Sequence, residues 1–298
     1  MKTTDGTTGT ITILGAGSMG ITLARLYKDK GYAVTLWNRT FDKIAALGAE
    51  GINVTPSLAE AIASSPVILL CVLDYAASFS LLSAAGAGKT LHGKTLVQLS
   101  TGSPEEAAQM DLWVSQHGGR YLAAALQVAP EQMGQPDTTI LLSGKEEVFK
   151  NNEALLYAMG GNIKYLGEDI TLASAMDMAT LSAVYGTIIG FLHGANISAH
   201  YGFDVAAYGA IVAEMMPGFA AFLQHEARVI QSGDFSISQS PLSISVGATR
   251  RILEAAEISG INSEFPQLAS GLLTRAAKAG YEKEELAAVI KILRTKNG

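Results

Sequence analysis

A stretch near the N-terminus, ITILGAGSMG (residues 11–20), leaves this chain less freedom than any other. A β-branched apolar run passes into Gly15, Gly17 and Gly20 at G-x-G-x-x-G spacing, and a segment of helical periodicity from Ser18 to Lys30 follows. Each glycine has a physical task. Gly15 permits the tight turn, Gly17 lets backbone N–H groups approach a pyrophosphate, and Gly20 lets helix and strand pack closely. A strand, a glycine-rich turn holding Ser18 and Met19, and a helix in that order predict dinucleotide binding.

The next apolar run, AVTLWNRT, ends where an acidic residue would accept hydrogen bonds from an adenosine ribose. It carries Asn38 and Arg39 instead. A carboxylate there would repel a 2′-phosphate, whereas Arg39, the Thr40 hydroxyl and Lys43 suit one, so the expected cofactor is NADP(H) rather than NAD(H). Ordinary surface cations are disfavoured beside a helix N-terminus without an anion, which argues against Arg39 and Lys43 being incidental. Further strand ends should complete the crevice: Cys71, Val72 and Leu73 on one, Ser100 and Thr101 on the next. Cys71, the lone cysteine, lies in an apolar run and reads as a packed thiol.

Short apolar runs alternate with helical segments through the first half, the pattern of a parallel sheet covered on both faces. Strands are expected at 11–15, 33–38, 67–73, 95–99, 121–125, 138–143 and 163–166. Helices are expected at 18–30, 40–47, 58–64 and 104–116, the last opened by Ser103, Pro104 and Glu106 as a capping box. After Leu166 only helical patterns remain. Proline is absent from Asp137 to Met216, and Asp177 is the only formally charged residue between Asp169 and Asp204, which predicts one long, mostly buried helix over 170–200. Then come a helix from Asp204 broken near Pro217, one through Gln231, one over 242–259 and two shorter ones at 266–279 and 282–294. The expected plan is an α/β N-terminal domain (1–168), a long interdomain helix (169–201) and an all-α C-terminal domain (202–298).

Residues 178–197 are about as long as a bilayer-spanning helix. Gly186, Gly190, His193, Gly194 and Asn196 inside it, and flanking aspartates rather than lysine or arginine, argue against a membrane. A net charge of −6 argues against nucleic acid. The histidines show no Cys or Glu at ligand spacing, so no metal is expected. The start, MKTTDGTTGT, lacks an apolar signal-like core and suggests a cytoplasmic protein.

Asp177 is the informative anomaly. In so apolar a helix its carboxyl must face a cleft, be paired, or carry a proton. Tyr185 follows about 12 Å along the helix and about 80° round it, so both side chains can line one broad cleft. A surface aspartate beside a core tyrosine is the plainer alternative.

GAGSMG, WNRT, QLSTGSP and the domain plan together resemble the β-hydroxyacid dehydrogenase superfamily, and within it the imine reductase and reductive aminase branch. The resemblance spans nearly the whole chain and implies a Rossmann-type N-terminal domain binding NADPH. Dehydrogenases of the superfamily carry a catalytic lysine in the long helix, where this chain has Asp177, and LQVAPEQMGQP (126–136) replaces their substrate loop. Aspartate there with a tyrosine two turns on matches reductive aminases, which implies catalytic roles for Asp177 and Tyr185 in reducing imines or ketone–amine pairs. Thr101, where some members have asparagine, and Gly218, near an aromatic substrate contact of theirs, depart from that pattern. The resemblance further implies a domain-swapped homodimer with active sites between subunits. Val128, Met178, Leu181, Met215, Phe219, Phe222 and Ile244 are the expected apolar pocket. An NADP-dependent 3-hydroxyacid dehydrogenase and a non-catalytic NADPH sensor are the alternatives.

Overall fold

The structure is a computed structural model that describes residues 9–84 and 91–294; the first eight residues of the N-terminal tail lie outside the described residues. Eight strands form one sheet: β1 (Gly9–Leu14), β2 (Tyr32–Trp37), β3 (Asn53–Thr55), β4 (Val67–Leu70), β5 (Thr95–Gln98), β6 (Arg120–Leu126), β7 (Thr139–Ser143) and β8 (Asn162–Tyr165). Their order is β3-β2-β1-β4-β5-β6-β7-β8. All neighbours are parallel except β6 and β7, which run antiparallel. The apolar runs predict the seven longer strands but not β3, whose three residues are too short to show a period, nor the reversed pair, since side-chain periodicity carries no direction.

Helices cover both faces. On β4, Val67 and Leu69 enter one core with Leu23 and Tyr27 of α1 (Ser18–Asp29), while Ile68 and Leu70 enter the other. That second core holds Ile62 of α2 (Leu58–Ala63), Leu82 of α3 (Tyr75–Ala84) and Met110 of α4 (Pro104–Gln116). Two buried faces explain why strand sequences here are continuously apolar. At α4 the capping box is present: Glu106 N–H donates to Ser103 Oγ at 3.2 Å, and Ser103 N–H to Glu106 Oε2 at 2.8 Å. Two short helices, α5 (Glu146–Asn151) and α6 (Glu153–Tyr157), precede β8. The helix expected at 40–47 is instead two 3₁₀ turns, Phe41–Lys43 and Ala45–Glu50, because its buried anchors, Ile44 and Leu47, are three residues apart and Gly51 closes the segment at φ +83°.

Among the described residues five further α-helices follow: α7 (Leu172–His200), α8 (Val205–Ser232), α9 (Leu242–Ile258), α10 (Glu264–Ala276) and α11 (Ile290–Leu293). Contacts divide the molecule into two compact units, Met1–Ser182 and Ala183–Gly298, with the division inside α7. Three expectations change. The long helix forms, but most of it is exposed within the chain rather than buried. The next helix, α8, runs unbroken through Pro217: the proline costs about 3 kcal/mol, which the remaining hydrogen bonds of a 28-residue helix outweigh. The last expected helix is a 3₁₀ turn (Leu286–Val289) leading into the single turn α11.

Candidate active site

The glycine turn takes the shape its spacing predicts. Gly15 has φ +109°, and a Cβ there would stand 2.2 Å from the Cys71 carbonyl oxygen. A Cβ on Gly20 would stand 2.0 Å from the Gly15 carbonyl oxygen, so β1, β4 and the start of α1 meet with no room for side chains. At Gly17 a Cβ would meet nothing within 4 Å: this position faces open space at the N-cap of α1, a twelve-residue helix with no acidic residue in its first turn. Free N–H groups and an uncompensated helix dipole there suit a pyrophosphate. Ser18 opens the helix, while Met19 packs its side chain on the core and offers the loop only its backbone.

Asn38 braces this turn, its Oδ1 accepting from Ala16 N–H at 3.2 Å and its Nδ2 donating to the Thr40 carbonyl at 3.0 Å. Arg39, Thr40 and Lys43 are exposed, and neither cation has an ion-pair partner among the described residues. The segment after Thr40 is a three-residue 3₁₀ turn, so the expected repulsion from a helix N-terminus does not apply. Two unpaired cations beyond the end of β2 nonetheless fit a 2′-phosphate.

The other strand ends lie on the same carboxyl edge. Cys71 is largely buried, which pushes its thiol up to about 11 and makes it inert at neutral pH. Val72 is half-buried and Leu73 is 86% exposed. Ser100 is buried and donates its hydroxyl to the Val72 carbonyl at 2.6 Å, so it ties two strand ends together; Thr101 beside it is exposed.

Asp177 is 5% exposed, which excludes the surface-aspartate alternative. Its Oδ1 accepts from Gln127 Nε2 at 2.6 Å, and no cation pairs with it among the described residues. The Thr180 hydroxyl lies 2.9 Å from both Gln127 Oε1 and the Asp177 carbonyl, and donation to Oε1 turns the amide nitrogen toward the carboxylate. Gln127 follows β6 directly, so the acid is fastened to the same sheet edge that carries Gly15, Cys71 and Ser100. Sequence reasoning missed both partners. Thr180 was within reach as the i+3 neighbour of Asp177, but no sequence signal links Gln127 across fifty residues.

Tyr185, eight residues on in the same helix, is 60% exposed. Of the expected pocket, Val128 packs against the nucleotide-domain core, Leu181 and Phe222 are half-buried, and Met178, Met215, Phe219 and Ile244 are exposed.

Known proteins share this fold. Residues 10–167 match the family described as NAD binding domain of 6-phosphogluconate dehydrogenase, and residues 169–295 match the NADPH-dependent reductive aminase-like C-terminal domain. An NADPH-dependent reductive aminase from Aspergillus oryzae is 31% identical over 94% of this chain and 96% of its own. An imine reductase from Myxococcus stipitatus, solved with NADP+, superposes with a TM-score of 0.91 at 31% identity, covering 96% of this chain and all of that one. A reductive aminase from Aspergillus terreus, solved with NADPH and ethyl levulinate, gives 0.90 and 31%, over 97% of this chain and all of that one. The chain therefore belongs to the family of NADPH-dependent imine reductases and reductive aminases.

Proposed function

We propose that this protein reduces C=N bonds of imines or iminium ions to amines with NADPH, and that Asp177 is the acid that makes the acceptor reactive. The observation that carries the reading is a buried carboxyl with no cation paired to it among the described residues, held by Gln127 at the carboxyl edge of the nucleotide-binding sheet. NADPH, when bound, supplies the hydride. Gly17 and the first turn of α1 would hold its pyrophosphate, on a turn that Gly15 and Gly20 shape; Arg39, Thr40 and Lys43 would hold its 2′-phosphate. Asp177 places negative charge where a cationic acceptor develops its demand, in a setting that excludes most water, so the attraction is stronger than at a surface. Gln127 and Thr180 fix which way that charge points. Tyr185 orients the substrate nitrogen or passes it a proton.

The exposed apolar faces of α7 and α8 fit a pairing surface between two copies of this chain. Ile188, Ile189 and Leu192 on one helix and Ile211, Met215 and Leu223 on the other stand open to solvent, a larger apolar exposure than a monomer ordinarily carries. Both helices are long and apolar enough to cross a membrane, yet α7 carries Asp177 and α8 carries Glu214, Glu226 and Arg228, which favours a protein partner. Such pairing would cover Tyr185, which is 60% exposed within the chain.

The test is NADPH consumption over cyclic imines and over ketone–amine pairs. Asp177→Ala is expected to lose about a hundred-fold or more in turnover while NADPH affinity is preserved. Full turnover in that variant would remove its catalytic role, and oxidation of 3-hydroxy acids with no imine reduction would overturn the reaction itself.

A further inference from the structure

The C-terminal unit contains a second buried acidic group that imine reduction does not use. Glu226 on α8 is 8% exposed, and neither of its carboxylate oxygens makes a well-formed hydrogen bond among the described residues. Burial, and then the charge of Glu285, raise its proton affinity, opposed by the nearby Ala287 N–H and by His225. Glu285 is fully buried. Its Oε1 accepts from Ser240 N–H at 2.6 Å; its Oε2 accepts from Ser238 N–H at 2.6 Å, Gln239 N–H at 3.0 Å and the Ser238 hydroxyl at 3.2 Å. Those four donors compensate the burial of this carboxyl. One donor atom each from His225, Glu226 and Glu285 lies within 4.8 Å of the others.

We propose that His225, Glu226 and Glu285 bind a divalent cation, which ties the C-terminal part of α8 to the loop at 238–240 and to the turn entering Leu286. Glu226 is buried without a well-formed hydrogen bond among the described residues, and one of its oxygens lies within 4.8 Å of donor atoms of His225 and Glu285, a spacing a single cation can bridge. Glu285 Oε1 accepts one hydrogen bond and keeps a lone pair for a metal. An imidazole beside two carboxylates suits Mn2+ or Zn2+ better than Mg2+ or Ca2+, which favour all-oxygen sets. Ser238 supplies the outer support such a site needs, with its hydroxyl 2.9 Å from His225 Nε2 while it also reaches Glu285. No metal was expected from the sequence, because His225 and Glu226 are adjacent and Glu285 lies far along the chain. Only folding makes them neighbours. The site is independent of the active-site reading.

The experiment uses the full-length, tag-free protein, stripped with EDTA and dialysed, then titrated with MnCl2 or ZnCl2. Saturable binding of one ion per chain, a rise in Tm on adding it, and nitrogen coupling to bound Mn2+ in pulsed EPR are expected. Glu226→Gln and His225→Ala should each weaken binding about ten-fold or more, with imine turnover of the stripped protein unaffected. Absence of saturable binding to the stripped wild type overturns the proposal without reference to any variant. Unchanged affinity in both variants also overturns it, as does a Tm that follows pH but not the cation, which would identify a proton shared between Glu226 and Glu285.

Discussion

In the nucleotide-binding half, neighbouring residues such as Ile68 and Leu69 point to opposite faces of the sheet and are both fully buried. Along α7 and α8, equally apolar residues stay in the open: Ile189, Leu192, Ile211 and Met215 are 52, 60, 58 and 65% exposed. Hydrophobic content does not separate the halves. A strand inside a sheet finds covering helices within its own chain, whereas a long helix with apolar residues all round it has more surface than a small helical unit can cover. Among the described residues the first half covers its own apolar strands, whereas α7 and α8 leave much of their apolar surface open within the chain.

Disturbing the covered half should have the largest effect. Gly15→Val puts a branched side chain at φ +109°, where even a Cβ stands 2.2 Å from backbone, so loss of NADPH binding and a stability loss of about 3 kcal/mol or more are expected from fluorescence titration and urea unfolding. A charge on the open half tests the contrast directly. Ile189→Glu should leave the nucleotide domain folded and NADPH-competent but shift the assembly to monomer in analytical ultracentrifugation; an unchanged mass would break the pairing argument. Gln127→Leu leaves the buried Asp177 without its donor, at about 1–3 kcal/mol in stability, and should lower kcat while leaving the NADPH Kd alone. Arg39→Ala should weaken NADPH about ten-fold or more and leave NADH unchanged; equal effects on both would cancel the 2′-phosphate assignment. The remaining test concerns acid. Because Glu285 is depressed to about 2 in the fold from an ordinary value near 4.5, its contribution is full above that ordinary value and disappears as pH falls through about 2. Glu285→Gln should therefore flatten that part of a stability–pH profile.

Much of the nucleotide half was legible in advance, since its elements rest on local rules: apolar runs for strands, Ser103-Pro104-x-Glu106 for a helix start, glycine spacing for a turn that excludes Cβ atoms. The errors have physical causes. Pro217 predicts a break, but a proline's penalty is finite and α8 absorbs it. A long apolar helix was expected to be buried, but periodicity reports that a surface is apolar and not which surface covers it.

The amino-acid order settles what is decided between near neighbours in the chain: a parallel sheet wrapped in helices, a phosphate-binding turn, a cationic end to the second strand, one lone acid in a long apolar helix. Folding in three dimensions settles what depends on residues far apart. It set Gln127 against Asp177, so that the lone acid of the helix is buried and hydrogen-bonded, and it brought one donor atom each of His225, Glu226 and Glu285 within 4.8 Å of one another. Hydrogen bonds and ligand sets act over about 3 Å, a distance that separation along a chain does not encode.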